Sequence, residues 1–130
     1  MREGKMLAAV FEGHGQLVLR DRPKPVLQRD TDVLLKVTGV GICGTDLHIL
    51  QVPPAHPAKV GSILGHEFTG KVVESGSKVA GFFRDDTVLV DPHPPCGQCR
   101  ACRRGYPDQC EELLSSAEPG HPNTIGIFSD

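Results

Sequence analysis

The sequence predicts a mainly β fold, a small barrel or sandwich with a cysteine-rich lobe hung from one of its loops. Three observations carry that expectation. Short runs of apolar and β-branched residues are separated by turn residues. Fifteen glycines and eleven prolines in 130 residues impose many turns and leave few stretches for long helices. Four of the five cysteines fall between Cys96 and Cys110, in a segment too polar to pack as a core.

The elements follow in order. Met6–Phe11 and Gln16–Arg20 flank Gly13-His14-Gly15 and read as a hairpin. A connector containing Pro23 and Pro25 leads to Asp32–Val40, the clearest strand. After Cys43, Thr45–Leu50 is long enough for a short helix, with Thr45 or Asp46 as its cap. Pro53, Pro54 and Pro57 end that helix and make Gln51–Ser62 a loop. Ile63–Glu74 and Thr87–Asp91 are the next strands, with Asp85-Asp86 marking the turn between them. Residues 92–112 form the cysteine lobe, and Thr124–Phe128 returns to strand character. Only Ser129 and Asp130 follow, which would leave an edge unpaired, so the expectation is a fragment of a longer chain.

Composition narrows the function classes. Hydrophobic residues at 38% and charged residues at 23% exclude a disordered chain. Fourteen basic against sixteen acidic residues leave a net charge of −2, which argues against nucleic acid or an anionic membrane surface as partner. The longest apolar run, Met6–Phe11, is far short of the roughly 20 residues a spanning helix needs. With charges on both sides it is also a poor signal peptide. A cytoplasmic location follows as the expectation, and there thiols stay reduced. An odd number of cysteines agrees with that and argues against a disulfide framework.

Cys96, Cys99, Cys102 and Cys110 are spaced Cys-x2-Cys-x2-Cys-x7-Cys. Two residues between cysteines let successive thiolates turn back on one ion, Gly97 eases the turn, and Cys110 can close a tetrahedron. Arg100, Arg103 and Arg104 are placed to offset the sulfur charge and to lower the thiol pKa values. An iron–sulfur cluster uses a similar start but closes with a three-residue gap and a proline. The seven-residue gap, with Glu111 after Cys110, favours zinc.

The fifth cysteine, Cys43, sits between Gly41 and Gly44, and His66-Glu67 follows Gly65 on a later strand. A thiol, an imidazole and a carboxylate are compatible zinc ligands, and three protein ligands with an open fourth position define a catalytic zinc. The blander reading is a buried cysteine and a strand histidine with no metal. Neighbours on a regular strand point to opposite faces, so His66 and Glu67 reach one ion only if Gly65 kinks the backbone. Otherwise Glu67 acts from the second layer of groups around the metal. Thr45 can cap the short helix, and His48 can be an ordinary surface residue on it. His14, His56, His93 and His121 have no evident partner. Gly39-Val40-Gly41-Ile42-Cys43-Gly44 matches G-x-G-x-x-G, but the prolines interrupt the helix that a dinucleotide loop requires.

Three stretches together resemble a known family. Gly41-Ile42-Cys43-Gly44-Thr45-Asp46-Leu47-His48, then Gly65-His66-Glu67-Phe68-x-Gly70, then Pro95-Cys96-Gly97-x-Cys99-x2-Cys102-x2-Gly105-x4-Cys110 are similar in order and spacing to the zinc-dependent medium-chain alcohol dehydrogenases. The resemblance implies that residues 1–130 are the N-terminal GroES-like domain, a partly open β-barrel with short helices and a structural zinc lobe at 92–112. It implies that the family's Rossmann domain, which binds NAD or NADP, lies outside this chain. By resemblance Cys43, His66 and Glu67 belong to the catalytic zinc, Thr45 and His48 to its proton relay, and Cys96, Cys99, Cys102 and Cys110 to a structural zinc. Asp85 departs from the family's usual Gly-Asp, and aspartate tolerates the left-handed turn expected there.

The expected function is therefore a zinc-dependent oxidoreductase. An alcohol or polyol would give hydride to NAD(P) in the intact enzyme, and the isolated chain would be inactive. Two other classes stay open from the residues alone, a zinc-stapled binding module without catalysis and an iron–sulfur electron carrier. A homo-oligomer is compatible with the exposed barrel edge.

Overall fold

The computed structural model describes residues 4–92 and 95–112. The hairpin is present and longer than expected: β1 (Lys5–Gly13) pairs antiparallel with β2 (Gln16–Pro23). Its turn needs left-handed backbone at Gly13, His14 and Gly15, with φ of 85°, 48° and 72°. A second sheet holds β3 (Val33–Gly41), β4 (Glu67–Ser75) and β5 (Thr87–Leu89), antiparallel in the order β3-β4-β5. Between β3 and β4 lies α1 (Gly44–Ile49), and because β3 and β4 are antiparallel the segment is no βαβ nucleotide unit. The lobe contains α2 (Arg100–Arg103) and a single 3-10 turn at Pro107–Gln109, neither of which was expected.

The predicted strand Ile63–Glu74 is two pieces. Ile63 forms a bridge with Val10 of β1, while the ladder of β4 begins only at Glu67. Gly65 separates them, with φ of 105°, a conformation that L side chains rarely adopt. The segment before the break ties the two sheets together. Phe11 donates its N–H to Ser62 O, Leu64 donates to Ala9 O, and Gly61 donates to Phe11 O. The expected strand Thr87–Asp91 stops at Leu89, although Val90 N–H still reaches Phe68 O. Thr124–Phe128, His93 and His121 lie outside the described residues.

Among the described residues the buried apolar side chains are Ala8, Val10 and Phe11 of β1, Ile49 of α1, Val72 of β4 and Cys110 of the lobe. The barrel is not closed: Leu19, Ile42 and Leu89 stay exposed. None of the described helices is long and apolar enough to cross a membrane.

Asp85 takes the left-handed conformation with φ of 72°, in the turn where Phe83 N–H is held by the Asp86 carboxylate. A side chain there costs energy that glycine avoids. Asp85→Gly is expected to raise stability by about 0.5–1 kcal/mol, read from the denaturant midpoint at unchanged slope.

Candidate metal centres

Cys43 has two jobs in the structure. It is the N-cap of α1, its backbone extended (φ −105°, ψ 173°), and its sulfur accepts the Thr45 N–H at 3.2 Å. Asp46 returns the interaction, its Oδ2 accepting the Cys43 N–H at 3.0 Å. This is a capping box with cysteine in the place usually held by serine or threonine. The expected caps, Thr45 and Asp46, therefore stand at the second and third helical positions. Thr45 contributes its N–H and leaves its hydroxyl uncommitted to the cap, because the Cys43 sulfur already serves that end of the helix.

The reciprocal cap aims the Cys43 thiol at His66. Sγ lies 3.0 Å from His66 Nε2, across 23 residues of sequence. His66 lies between the Gly65 kink and Glu67, the first residue of β4, outside the paired ladder that would fix its alternation with Glu67. A Cβ at Gly65 would come within 2.8 Å of Val40 Cγ1, so glycine is required there by space as well as by φ. As a result one donor atom from each of Cys43, His66 and Glu67 lies within 4.8 Å of the others. His66 is buried, Cys43 half-buried and Glu67 exposed, so the group is open to solvent on the carboxylate side. There a cleft of about 470 Å³ is lined by Glu67, Leu89, Val90, Asp91 and Pro92.

Asp46 is the residue that sequence reasoning missed as part of the site. It is 5% exposed, and its second oxygen, Oδ1, faces His66 Nδ1 at 3.6 Å. That is too long for a hydrogen bond, and neither buried atom makes one. A buried carboxylate facing a ring nitrogen favours the tautomer with its hydrogen on Nδ1. Nε2 is then left with the lone pair a metal needs. The Cys43-x-x-Asp46 spacing is the sequence signal that points to this carboxylate.

The other two sequence-derived candidates are near but not in the cluster. Thr45 is half-buried on the first turn of α1, one turn before the exposed His48. Of the histidines expected to lack partners, His56 has one: its Nδ1–H donates to Pro57 O at 2.9 Å.

The four cysteines of the lobe come together as their spacing requires, with all sulfurs within 4.8 Å of one another. No disulfide joins any of the four. A ring of backbone amides serves them: Cys96 N–H donates to Cys110 Sγ and Cys99 N–H to Cys96 Sγ, both at 3.3 Å, and Cys102 N–H to Cys99 Sγ at 3.4 Å. The Cys96 and Cys102 sulfurs are 4.0 Å apart. A tetrahedron with Zn–S bonds near 2.3 Å has edges of about 3.8 Å, so the thiols fit such an ion. Amides from Cys102 and then Glu111 pull the Cys99 thiol down to about 6, while burial and then the Cys99 sulfur push Cys102 up to about 12. The help for Cys99 thus comes from amides, where the sequence pointed to the three arginines.

Comparison with known proteins agrees with this geometry. Residues 29–130 match the family model described as alcohol dehydrogenase GroES-like domain. The chain is 38% identical over 112 residues to zinc-type alcohol dehydrogenase B of Aspergillus flavus, covering 86% of this chain and 26% of that protein. It is 36% identical over 124 residues to a protein named D-xylulose reductase A in Neosartorya fischeri, covering 94% and 35%. Among solved structures, alcohol dehydrogenase TADH from Thermus sp. ATN1 superposes with a TM-score of 0.73 at 37% identity, over 82% of this chain and 30% of that one. The chain thus spans about a quarter to a third of the length of the curated relatives it matches.

Two outcomes are expected. Asp46→Ala removes the acceptor for Cys43 N–H and the group facing His66. It should lower stability by about 1–2 kcal/mol in denaturant titration and weaken zinc binding at Cys43 and His66 more than in the lobe. In the metal-free chain, the stability contributed by Cys99 ionisation is complete above its ordinary value of 9.0 and is lost as pH falls toward about 6. Thermal midpoints of the metal-free chain should therefore rise between pH 6 and pH 9. Replacement of Cys99 by Ser should flatten that rise.

Proposed function

The chain belongs to the alcohol dehydrogenase GroES-like domain family, and on that premise we propose that it is the substrate-activating domain of a zinc-dependent, NAD(P)-linked alcohol or polyol dehydrogenase. The observation that carries the reading is the convergence of Cys43, His66 and Glu67, the last of which also lines a solvent-open cleft. In this reading residues 1–130 form one domain, residues 92–112 are its stapled lobe, the nicotinamide is held by a further domain, and the protein works in the cytoplasm.

The donor sets fit zinc. Thiolate, imidazole and carboxylate are its usual ligands, and three of them leave a fourth position for a substrate oxygen. A zinc ion held there would supply Lewis acidity, lowering the pKa of a substrate hydroxyl. The chain's own residues do the rest. Asp46 faces His66 Nδ1, which favours the ligating tautomer, and ties Cys43 to the helix end. The Thr45 hydroxyl is free to accept the substrate proton, since the helix cap is made by Cys43. His48, one turn further on and exposed, passes the proton to water. The apolar walls at Leu89, Val90 and Pro92 receive the carbon skeleton of the alcohol. The lobe takes no part in the chemistry: its four sulfurs close one ion completely and leave no position for substrate.

Metal content per chain tests the reading. Two zinc ions are expected, and His66→Ala should remove one while the lobe keeps the other. In the full-length enzyme the same substitution should abolish turnover. A single zinc in the unaltered chain would favour a stapled binding module, and a brown chain absorbing near 400 nm an iron–sulfur protein.

A further inference from the structure

The last residue of β3, Gly41, lies directly opposite the first residue of β4, Glu67. A Cβ built on Gly41 would stand 3.3 Å from Glu67 Oε2, 3.4 Å from Glu67 O and 3.5 Å from Glu67 Cβ. Opposed side chains in an antiparallel pair normally keep their Cβ atoms about 4.5–5.5 Å apart. The space over Gly41 is therefore filled by the Glu67 side chain itself, which folds back across the ladder instead of standing clear of it. Glycine is not demanded here by the backbone, because Gly41 is absent from the left-handed positions that include Gly65. Gly39, two residues earlier on β3, faces only the Thr69 hydroxyl, at 3.4 Å. Gly41 is thus the position where a missing side chain makes room for a metal-binding group.

We propose that Gly41 is a positioning residue: its bare backbone provides the seat that turns the Glu67 carboxylate toward Cys43 and His66 and makes it the third donor to a zinc-class divalent ion. The proposal rests on the reading that these three residues hold a metal. Glu67 is exposed, so without a seat its carboxylate is free to swing into solvent. A methyl at position 41 stands 3.3 Å from Oε2, tight enough that the carboxylate must shift. It also presses on the point where β3 and β4 come together just before Cys43 and His66 leave the ladder.

The test is zinc titration of the 130-residue chain against a chromophoric chelator, comparing Gly41→Ala, Glu67→Ala and the double variant. The lobe serves as the internal control for folding. Gly41→Ala should weaken the Cys43–His66–Glu67 site about tenfold, the lower end of what supporting groups contribute to metal affinity, and leave the lobe unchanged. In the Glu67→Ala background the same substitution should have no further effect. Equal affinity of Gly41→Ala and the unaltered chain overturns the proposal, and so does a tenfold loss that persists without Glu67. If Gly41→Ala fails to fold, the Glu67 carbonyl and Cβ beside position 41 carry the clash instead of the carboxylate, and the proposal is overturned. One zinc in the unaltered chain defeats the metal reading itself. Two zincs with an indifferent Gly41→Ala defeat only the role of Gly41.

Discussion

The contact between Cys43 Sγ and His66 Nε2, 3.0 Å apart, is the constraint on which the rest of the site hangs. Neither residue is in a strand. Each stands just past the end of an antiparallel pair, Cys43 where β3 gives way to α1 and His66 where the Gly65 kink precedes β4. Two glycines make this possible for different reasons. Gly65 supplies a left-handed bend that also avoids Val40, and Gly41 lets the ladder close tightly at its last pair. Ile49 of α1 and Val72 of β4 are both fully buried.

The two cysteine clusters differ in how they are assembled and in what they leave exposed. The lobe gathers its ligands from fifteen consecutive residues, and its own amides point at the sulfurs. Backbone amides hold the Cys99 thiol low, while burial pushes that of Cys102 up. The other cluster draws on two distant segments and relies on one carboxylate, Asp46, to serve both. The second, unlike the first, includes an exposed member, Glu67.

The lobe was legible because a fixed spacing of one residue type constrains geometry by itself. The convergence of Cys43 with His66 was not, since a separation of 23 positions says nothing about where the chain returns. Only the resemblance in motif order supplied it. The β4 boundary was misplaced because Ile63 and Leu64 continue an apolar run that looks like one strand, whereas Gly65 breaks the ladder. The helix cap was misassigned because cysteine is not among the preferred caps, although the position of Asp46 three residues on carried the information. The lobe's four-residue helix is too short to show a period at all.

The short reach of both clusters has a consequence for biosynthesis. Cys43 and His66 close a loop of modest length, and the lobe closes a shorter one, so neither waits on a contact from a distant part of the polypeptide. Loop-closure entropy is low for such separations. Both clusters can therefore close while the nascent chain is still emerging from the ribosome.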